Sequence, residues 1–141
     1  VVERVACLGL VQSSSPDDQK NSEGALSGCA DQGKVDLIRA AVGTGFAVRD
    51  VTPEATMAVA GRNAPGIAEA IRAYSGTITP RAMLSRAASV IRGRTLIVHL
   101  PGRPPAVRES LDFVLPNLYH GLDVLKGEVT DCGSKVHHLH R

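Results

Sequence analysis

The chain has 141 residues, a net charge of +2 and only 3% aromatic residues. Its length favours a single domain with a buried core, while the small charge and the scarcity of aromatic rings argue against a nucleic-acid-binding surface. No apolar run approaches the ~20 residues of a membrane-spanning helix, so membrane insertion is not expected. The N-terminal VVERVACLGLVQ is not typical of a signal peptide because charges interrupt its apolar stretch.

The three cysteines, Cys7, Cys29 and Cys132, are widely spaced and form no CxxC pair. That spacing argues against a disulfide framework and against a zinc ribbon. It is typical of thiols in a reducing compartment, and it therefore favours a cytoplasmic location.

The first part of the chain predicts two strands separated by a loop and a short helix. Residues 1–11 are apolar and predict a strand, and the polar segment 12–24 predicts a loop. Residues 25–33 predict a short helix that ends at a glycine. Residues 35–42, VDLIRAAV, are typical of a strand buried on both faces of a parallel sheet. Arg39 within that strand requires an acidic partner or an earlier strand end.

The middle of the chain predicts helices over 53–60 and 66–74, the second with apolar side chains at helical spacing. A threonine followed by Pro80 predicts a short turn of helix. The segment 85–91 fits either a strand or a helix, whereas 95–100, TLIVHL, predicts a strand.

The last part of the chain begins with a stiff proline loop over 101–105. A helix follows over 106–125, with a kink or restart predicted at Pro116, and the residues beyond Gly127 are polar. The alternation of strands and helices along the whole chain indicates an α/β domain with a mainly parallel sheet.

The stretch GTGFAVRDVTP, which begins at Gly43, carries the strongest functional signal. Gly43 and Gly45 allow positive φ and let backbone N–H groups approach phosphate or carboxylate oxygens. Asp50 can hold a divalent cation beside them. Thr52 suits the N-cap of the next helix and Pro53 its first position. By pattern alone an ordinary strand-to-helix turn is the favoured interpretation of these residues.

The position of this stretch after a strand adds a topological argument. Ligands of parallel α/β sheets bind beyond the carboxyl ends of the strands. If the strands over 35–42 and 95–100 are parallel neighbours, the glycine-rich stretch and the loop over 101–105 border one pocket.

Motifs in chain order resemble the molybdopterin-binding domain of molybdopterin adenylyltransferases, that is, the bacterial Mog-type enzymes and the matching domains of plant Cnx and animal gephyrin. These motifs are GTGFAVRDVTPEAT, RNAPGIAEAIR, TPRAMLSRA, IRGRTLIVHLPGRPPAVRESL and LPNLYHGLDVLKG. The resemblance covers residues 34–127, leaves 1–33 divergent, and implies one domain over 1–127 with a polar tail over 128–141. It implies a three-layer α/β/α fold with a mainly parallel sheet, commonly trimeric. It also implies Mg²⁺-dependent adenylylation of molybdopterin by ATP in molybdenum cofactor biosynthesis.

The resemblance further implies a set of site residues. Asp50 matches an acidic residue implicated in metal and nucleotide handling, and it is the residue expected to act in catalysis. Asp50 and Asp17 are expected to bind Mg²⁺. The residues expected to hold molybdopterin are Gly43, Thr44, Gly45, Ser75, Ser85, Pro101 and Gly102.

The chain also departs from the family pattern. Val42 stands where the family has a glycine, Ala40 and Ala41 replace threonines, and His99 replaces a frequent asparagine. A β-branched side chain at position 42 resists unusual backbone angles and fills space near the ligand. A catalytically impaired binding module, or a trimeric scaffold domain of gephyrin type, therefore stands as the alternative to an enzyme.

Residues 1–33 can be matched to the family in two ways. In the first, residues 1–5 form the family's second strand and Pro16-Asp17-Asp18 its acidic turn, which makes Asp17 a second metal ligand. In the second, residues 5–12 form the first strand and the following helix begins at Asn21. Both interpretations imply that one N-terminal strand–helix unit is missing.

Overall fold

Strands and helices alternate along the computed structural model, which describes residues 5–9, 17–33, 35–41, 43–101 and 104–127. The side chains of 5–9, 17, 18, 41, 104, 106 and 107 lie outside the description. The elements are β1 (Val5–Gly9), α1 (Asp17–Asp31), β2 (Leu37–Ala41), α2 (Thr52–Val59), β3 (Arg62–Asn63), α3 (Pro65–Gly76), a 3-10 turn (Pro80–Leu84), β4 (Ser89–Arg92), β5 (Thr95–Leu100) and α4 (Pro104–Leu125).

The described strands form one sheet in the order β1-β2-β5-β4-β3. β1 pairs with β2, and β2 with β5, in parallel, whereas β4 is antiparallel to both β5 and β3. Because β3 opposes β4, it runs in the same direction as β5. All of the described strands except β4 therefore share one direction, and the prediction of a mainly parallel sheet is confirmed.

Helices cover both faces of the sheet, which confirms the three-layer architecture. Side chains along β5 alternate between the faces, as in any strand buried on both sides. On one face α1 and α2 pack over the cluster Leu26, Ala30, Ile38, Ala40, Ala55, Val59, Val90 and Ile97. On the other face α3 and α4 contribute to the cluster Leu37, Ile71, Leu96, Val98, Leu100, Val114, Leu118 and Leu122.

Helix α1 corrects the prediction for the N-terminal third. It begins at Asp17, so the loop predicted over 12–24 is wrong for its described part. The helix start at Asn21 is wrong as well. Asp17 and Asp18, which the first interpretation places in an acidic turn, are the first two residues of the helix. Strand β1 lies within residues 5–12, as in the second interpretation, and not within residues 1–5. Among the described side chains of the helix, those of residues 19–31, Ser22, Leu26 and Ala30 are buried, a stripe at i, i+4 and i+8. Because so few side chains are buried, the first turns of α1 show no amphipathic pattern in the sequence.

Three other segments can be compared with the predictions. β2 is confined to Leu37–Ala41, and Arg39 lies half-buried within it. The ambiguous segment 85–91 contains strand β4 rather than a helix. Helix α4 runs through Pro116 without a restart. The proline is exposed, so solvent can hydrate the carbonyl group that loses its N–H partner.

Several predictions fall on residues outside the described part, namely those for Val42, Gly102, Cys132 and the tail over 128–141. Among the described helices, none is both long enough and apolar enough to cross a lipid bilayer.

Candidate functional site

Three adjacent parallel strands end at one edge of the sheet, which we call the carboxyl edge. Gly9 of β1 pairs with Ala41 of β2, and Ala41 pairs with Leu100 of β5. The glycine loop, residues 43–50, follows β2 at this edge, and Pro101 follows β5. β2 and β5 are parallel neighbours, which meets the condition stated above, so the two loops that follow them begin side by side.

The glycine loop is a closed bend fastened by its own backbone. Gly43 is buried and has a φ of 78°, in the left-handed region that favours glycine. Its carbonyl group accepts a hydrogen bond from the N–H of Thr52 at 3.1 Å. Further along, the N–H of Asp50 donates to the carbonyl of Ala47 at 2.9 Å.

The carboxylate of Asp50 folds back against the loop. Its Oδ2 accepts a hydrogen bond from the N–H of Ala47 at 3.1 Å. A Cβ atom added to Gly45 would lie 2.8 Å from this oxygen. Gly45 is not among the glycines with positive φ, so it does not use the backbone freedom that the sequence analysis pointed to. The glycine instead provides the space that the Asp50 carboxylate occupies.

Helix α2 begins directly after the loop. Val51 takes the N-cap position and offers no side-chain hydrogen bond, so the N-cap predicted for Thr52 is wrong. Thr52 is instead the first helical residue, and its side chain is buried. Glu54 lies in the first turn, where an acidic side chain complements the positive end of the helix dipole.

Arg86 is the residue at this site that the sequence analysis missed. Its Nε donates to the carbonyl of Gly45 at 2.8 Å, and its Nη2 donates to the carbonyl of Asp50. Its Nη1 contacts Oε2 of Glu54 at 2.6 Å. The hydrogen bond from the Arg86 guanidinium lowers the pKa of Glu54 below its usual value. The one signal for Arg86 in the sequence was its place in the motif TPRAMLSRA.

His99, which stands where the family often has an asparagine, lies within strand β5. It is fully buried in β5, and its Nδ1 accepts from the N–H of Ala88 at 2.9 Å. The neutral ring therefore carries its proton on Nε2, which lies 2.6 Å from the hydroxyl oxygen of Thr56 in α2. Burial lowers the pKa of His99 to about 4. The residue thus connects β5 to α2 as a neutral imidazole.

The two predicted serines occupy different positions. Ser85 directly precedes Arg86, and its hydroxyl accepts from the N–H of Ala87 at 3.2 Å. Ser85 therefore lies close to the glycine loop, because the N–H of Arg86 donates to the carbonyl of Thr44 at 2.7 Å. Ser75 belongs to the last turn of α3, where its carbonyl accepts from the N–H groups of Ile78 and Thr79. The binding role of both serines stays a prediction.

The predicted metal ligands are only partly visible. Asp17 is the first residue of α1, but its side chain lies outside the described part of the chain. Within that part there is no group of three His, Cys, Asp or Glu side chains suited to a metal ion. The binding of a metal ion by Asp50 and Asp17 therefore stays a prediction.

Two cavities lined by described residues lie away from the glycine loop. One, of about 500 Å³, lies at the amino ends of β2 and β5, and Asp31, Asp36, Arg92 and Lys126 are among its lining residues. The other, of about 540 Å³, is a shallow groove between α3 and the 3-10 turn. The pocket predicted between the two loops at the carboxyl edge stays a prediction, since residues 42, 102 and 103 lie outside the description.

Comparisons with known proteins agree with this geometry. A family model described as a probable molybdopterin binding domain matches residues 10–120. A molybdopterin adenylyltransferase of Helicobacter pylori strain J99 is 37% identical over 119 residues, which is 84% of this chain and 68% of that protein. The molybdopterin adenylyltransferase of Escherichia coli K12 is 44% identical over 99 residues, 70% of this chain and 51% of that protein. Against the second relative, the chain spans about half of the full length.

Solved structures share the fold. The molybdopterin biosynthesis enzyme MoaB of Thermus thermophilus superposes with a TM-score of 0.72 at 46% identity, over 79% of this chain and 70% of that chain. The Mog protein of Mycobacterium ulcerans superposes with a TM-score of 0.70 at 40% identity, over 75% of this chain and 69% of that chain. A gephyrin of Dictyostelium discoideum is 45% identical over 95 residues, 67% of this chain but 13% of that protein.

Proposed function

Because the chain belongs to the family of probable molybdopterin binding domains, we propose that it binds molybdopterin at the carboxyl edge and adenylylates it with ATP. The observation that supports this proposal most is the position of the Asp50 carboxylate beside Gly45. A carboxylate is held against a side-chain-free glycine at the edge where parallel α/β sheets bind ligands. Relatives named molybdopterin adenylyltransferase supply the chemistry.

The residues of the glycine loop fit a phosphate-rich ligand and its cation. Asp50 provides the hard oxygen that Mg²⁺ prefers, and Mg²⁺ characteristically completes its coordination with substrate phosphates and water rather than with many protein groups. One carboxylate in the loop is therefore a sufficient anchor. When bound, Mg²⁺ would neutralise charge on the phosphates.

The proposed reaction needs positioning more than a protein nucleophile. An oxygen of molybdopterin attacks the α-phosphorus of ATP, the new P–O bond forms, and the bond to pyrophosphate breaks. The buried turn at Gly43 brings backbone close to the ligand, as its positive φ allows. Asp50 would hold the cation, Pro101 follows β5 at the same edge, and the binding role of Gly102 stays a prediction.

A transfer assay tests the proposal. The purified chain is incubated with molybdopterin, α-labelled ATP and Mg²⁺, and labelled molybdopterin-AMP and pyrophosphate are quantified. We expect product that requires both the protein and Mg²⁺. If the chain binds molybdopterin but forms no adenylylated product, it is not an adenylyltransferase.

A binding module without turnover is the second candidate, and Val42 favours it because the family pattern has a glycine there. Calorimetric titration with molybdopterin separates a module from a scaffold, since only the module binds. Replacing Val42→Gly should tighten binding if the valine crowds the loop. An unchanged dissociation constant would show that the side chain at position 42 does not limit access.

The assembly is proposed to be a homotrimer located in the cytoplasm. Light scattering of the purified chain measures the mass directly, and a mass close to three chains is expected. If the chain is a monomer and still transfers AMP, the reaction does not require a trimer.

A further inference from the structure

The Arg86 side chain joins three separate parts of the site. Its guanidinium contacts the carbonyl groups at both ends of the bend, those of Gly45 and Asp50. It also forms a forked contact with Glu54 in the first turn of α2, with Nη1 at 2.6 Å from Oε2 and Nη2 at 3.3 Å from Oε1. Every nitrogen of the guanidinium therefore has a protein acceptor.

We propose that Arg86 is a positioning residue. It holds the bend from Gly45 to Asp50 against helix α2 and thereby keeps the Asp50 carboxylate in its place beside Gly45. This inference deepens the proposed function and rests on it. It concerns an arginine for which no role was predicted.

The geometry argues against a direct contact between Arg86 and phosphate. An arginine beside a nucleotide-binding loop would ordinarily bind phosphate through its planar fork. Here that fork faces Glu54, an ionised carboxylate at neutral pH, and the hydrogen bond from Arg86 lowers the pKa of its carboxyl group further. A phosphate would have to displace this carboxylate and two carbonyl groups at once.

The same geometry makes lysine a poor substitute. An ammonium group is a point charge without the fork that spans two carbonyl groups and a carboxylate. The Arg86 and Glu54 side chains are 34% and 46% exposed, so the ion pair contributes little to global stability. Its effect is expected in the placement of the loop.

Arg92 provides a matched control elsewhere in the same chain. Its Nε and Nη2 contact the two carboxylate oxygens of Asp31, each at 2.9 Å, and its Nη1 donates to the carbonyl of Val59 at 2.8 Å. Arg92 thus also joins a carboxylate to a backbone carbonyl, but it lines the cavity at the opposite edge of the sheet.

Hydrogen exchange measured amide by amide tests the placement without any substrate. In Arg86→Gln and Arg86→Lys the amides of Ala47, Asp50 and Thr52 should exchange roughly tenfold faster or more than in the unmodified chain, since their hydrogen bonds close the bend. In Arg92→Gln they should keep their original rates. Original rates in Arg86→Gln, or equal acceleration in Arg92→Gln, would overturn the inference.

Kinetics then separate positioning from phosphate binding. For Arg86→Gln we expect kcat to fall about a hundredfold while KM for ATP changes less than about threefold, with no rescue by lysine. A large rise in KM for ATP that lysine corrects would show that Arg86 binds phosphate. If the unmodified chain transfers no AMP, the proposed function fails, while the exchange rates still decide whether Arg86 positions the bend.

Discussion

The central contact of the site is a pair of residues, Gly45 and Asp50, five positions apart. The sequence predicted both, but for Gly45 it indicated backbone freedom when the structure shows a steric reason. A Cβ at that position would lie 2.8 Å from Oδ2 of Asp50. The pair therefore makes separate predictions for stability and for activity.

Replacing Gly45→Ala should displace the Asp50 carboxylate with little effect on folding. The clash is with the end of a flexible side chain, so the free energy of unfolding should change by less than about 1 kcal/mol. AMP transfer should fall by roughly a hundredfold, as small displacements of catalytic groups do. Denaturant titration and the transfer assay measure the two effects.

Gly66→Ala is the matched control for this substitution. Gly66 lies in the first turn of α3 with nothing within 4 Å of an added Cβ, so both stability and activity should be preserved. Normal transfer by Gly45→Ala would show that the position of the Asp50 carboxylate is unimportant.

Removing the charge of Asp50 tests the acid itself. In Asp50→Asn the side-chain carbonyl can still accept the hydrogen bond from Ala47, so the bend should persist. Transfer should nevertheless fall by roughly a hundredfold or more, because a neutral amide is a poor ligand for Mg²⁺. Equal rates of product formation by this variant and the unmodified chain would exclude Asp50 from the mechanism.

Because His99 is buried, we expect the folded state to lose stability as the pH falls. Burial depresses its folded pKa to about 4, whereas an unfolded histidine has a pKa of about 6.5. The unfolded state therefore takes up a proton first as the pH falls, and stability is lost between pH 6.5 and 4. Between pH 7 and pH 5 the loss from this group is about 2 kcal/mol.

Urea unfolding at those two values of pH, for the unmodified chain and for His99→Asn, measures this contribution. The variant should lose less stability than the unmodified chain, because the carboxylates common to both cancel in the comparison. Equal losses would mean that His99 does not titrate differently on unfolding.

At the scale of elements, the sequence predicted best where patterns are local. Strand β5 matched its prediction because TLIVHL is a continuous apolar run, and α2 followed from Pro53 and the apolar residues after it. The start of α1 was missed because its buried side chains form a thin stripe among exposed polar residues. Arg86 was missed for a different reason, since its partners Gly45 and Glu54 lie 41 and 32 positions away in the chain.

Helix α1 can be tested as a packed element. Leu26 is fully buried between α1 and the sheet, so Leu26→Ala should lower the free energy of unfolding by about 2–5 kcal/mol. The exposed Lys20 of the same helix is the control, and Lys20→Ala should change stability by less than about 0.5 kcal/mol. Chemical denaturation of both variants provides the comparison, and a near-neutral Leu26→Ala would mean that α1 does not pack as described.

At the scale of the whole molecule, topology determines where chemistry can occur. The parallel arrangement of β1, β2 and β5 brings Gly9, the glycine loop and Pro101 to one edge, although they are far apart in the sequence. For β2 and β5 the sequence left this meeting as a condition, because apolar runs predict buried strands but not which strands are neighbours. The order of all the strands could not be predicted, because the pairing of β3 and β4 depends on contacts between distant residues.

The two edges of the sheet offer different surfaces. The opposite edge has a cavity of about 500 Å³ with Arg92, Arg94 and Lys126, but Asp31 and Asp36 balance two of these charges through ion pairs. The carboxyl edge instead has the bend that holds the Asp50 carboxylate through the N–H of Ala47. The proposed function therefore requires that nucleotide binds at the carboxyl edge.

Amide chemical shifts of the labelled chain, recorded during titration with ATP and Mg²⁺, locate the binding edge most directly. The proposal predicts the largest shifts at Gly43, Thr44, Gly45 and Asp50, with Gly93 and Arg94 unaffected. Shifts concentrated at Gly93 and Arg94, or none in the glycine loop at saturating nucleotide, would contradict it.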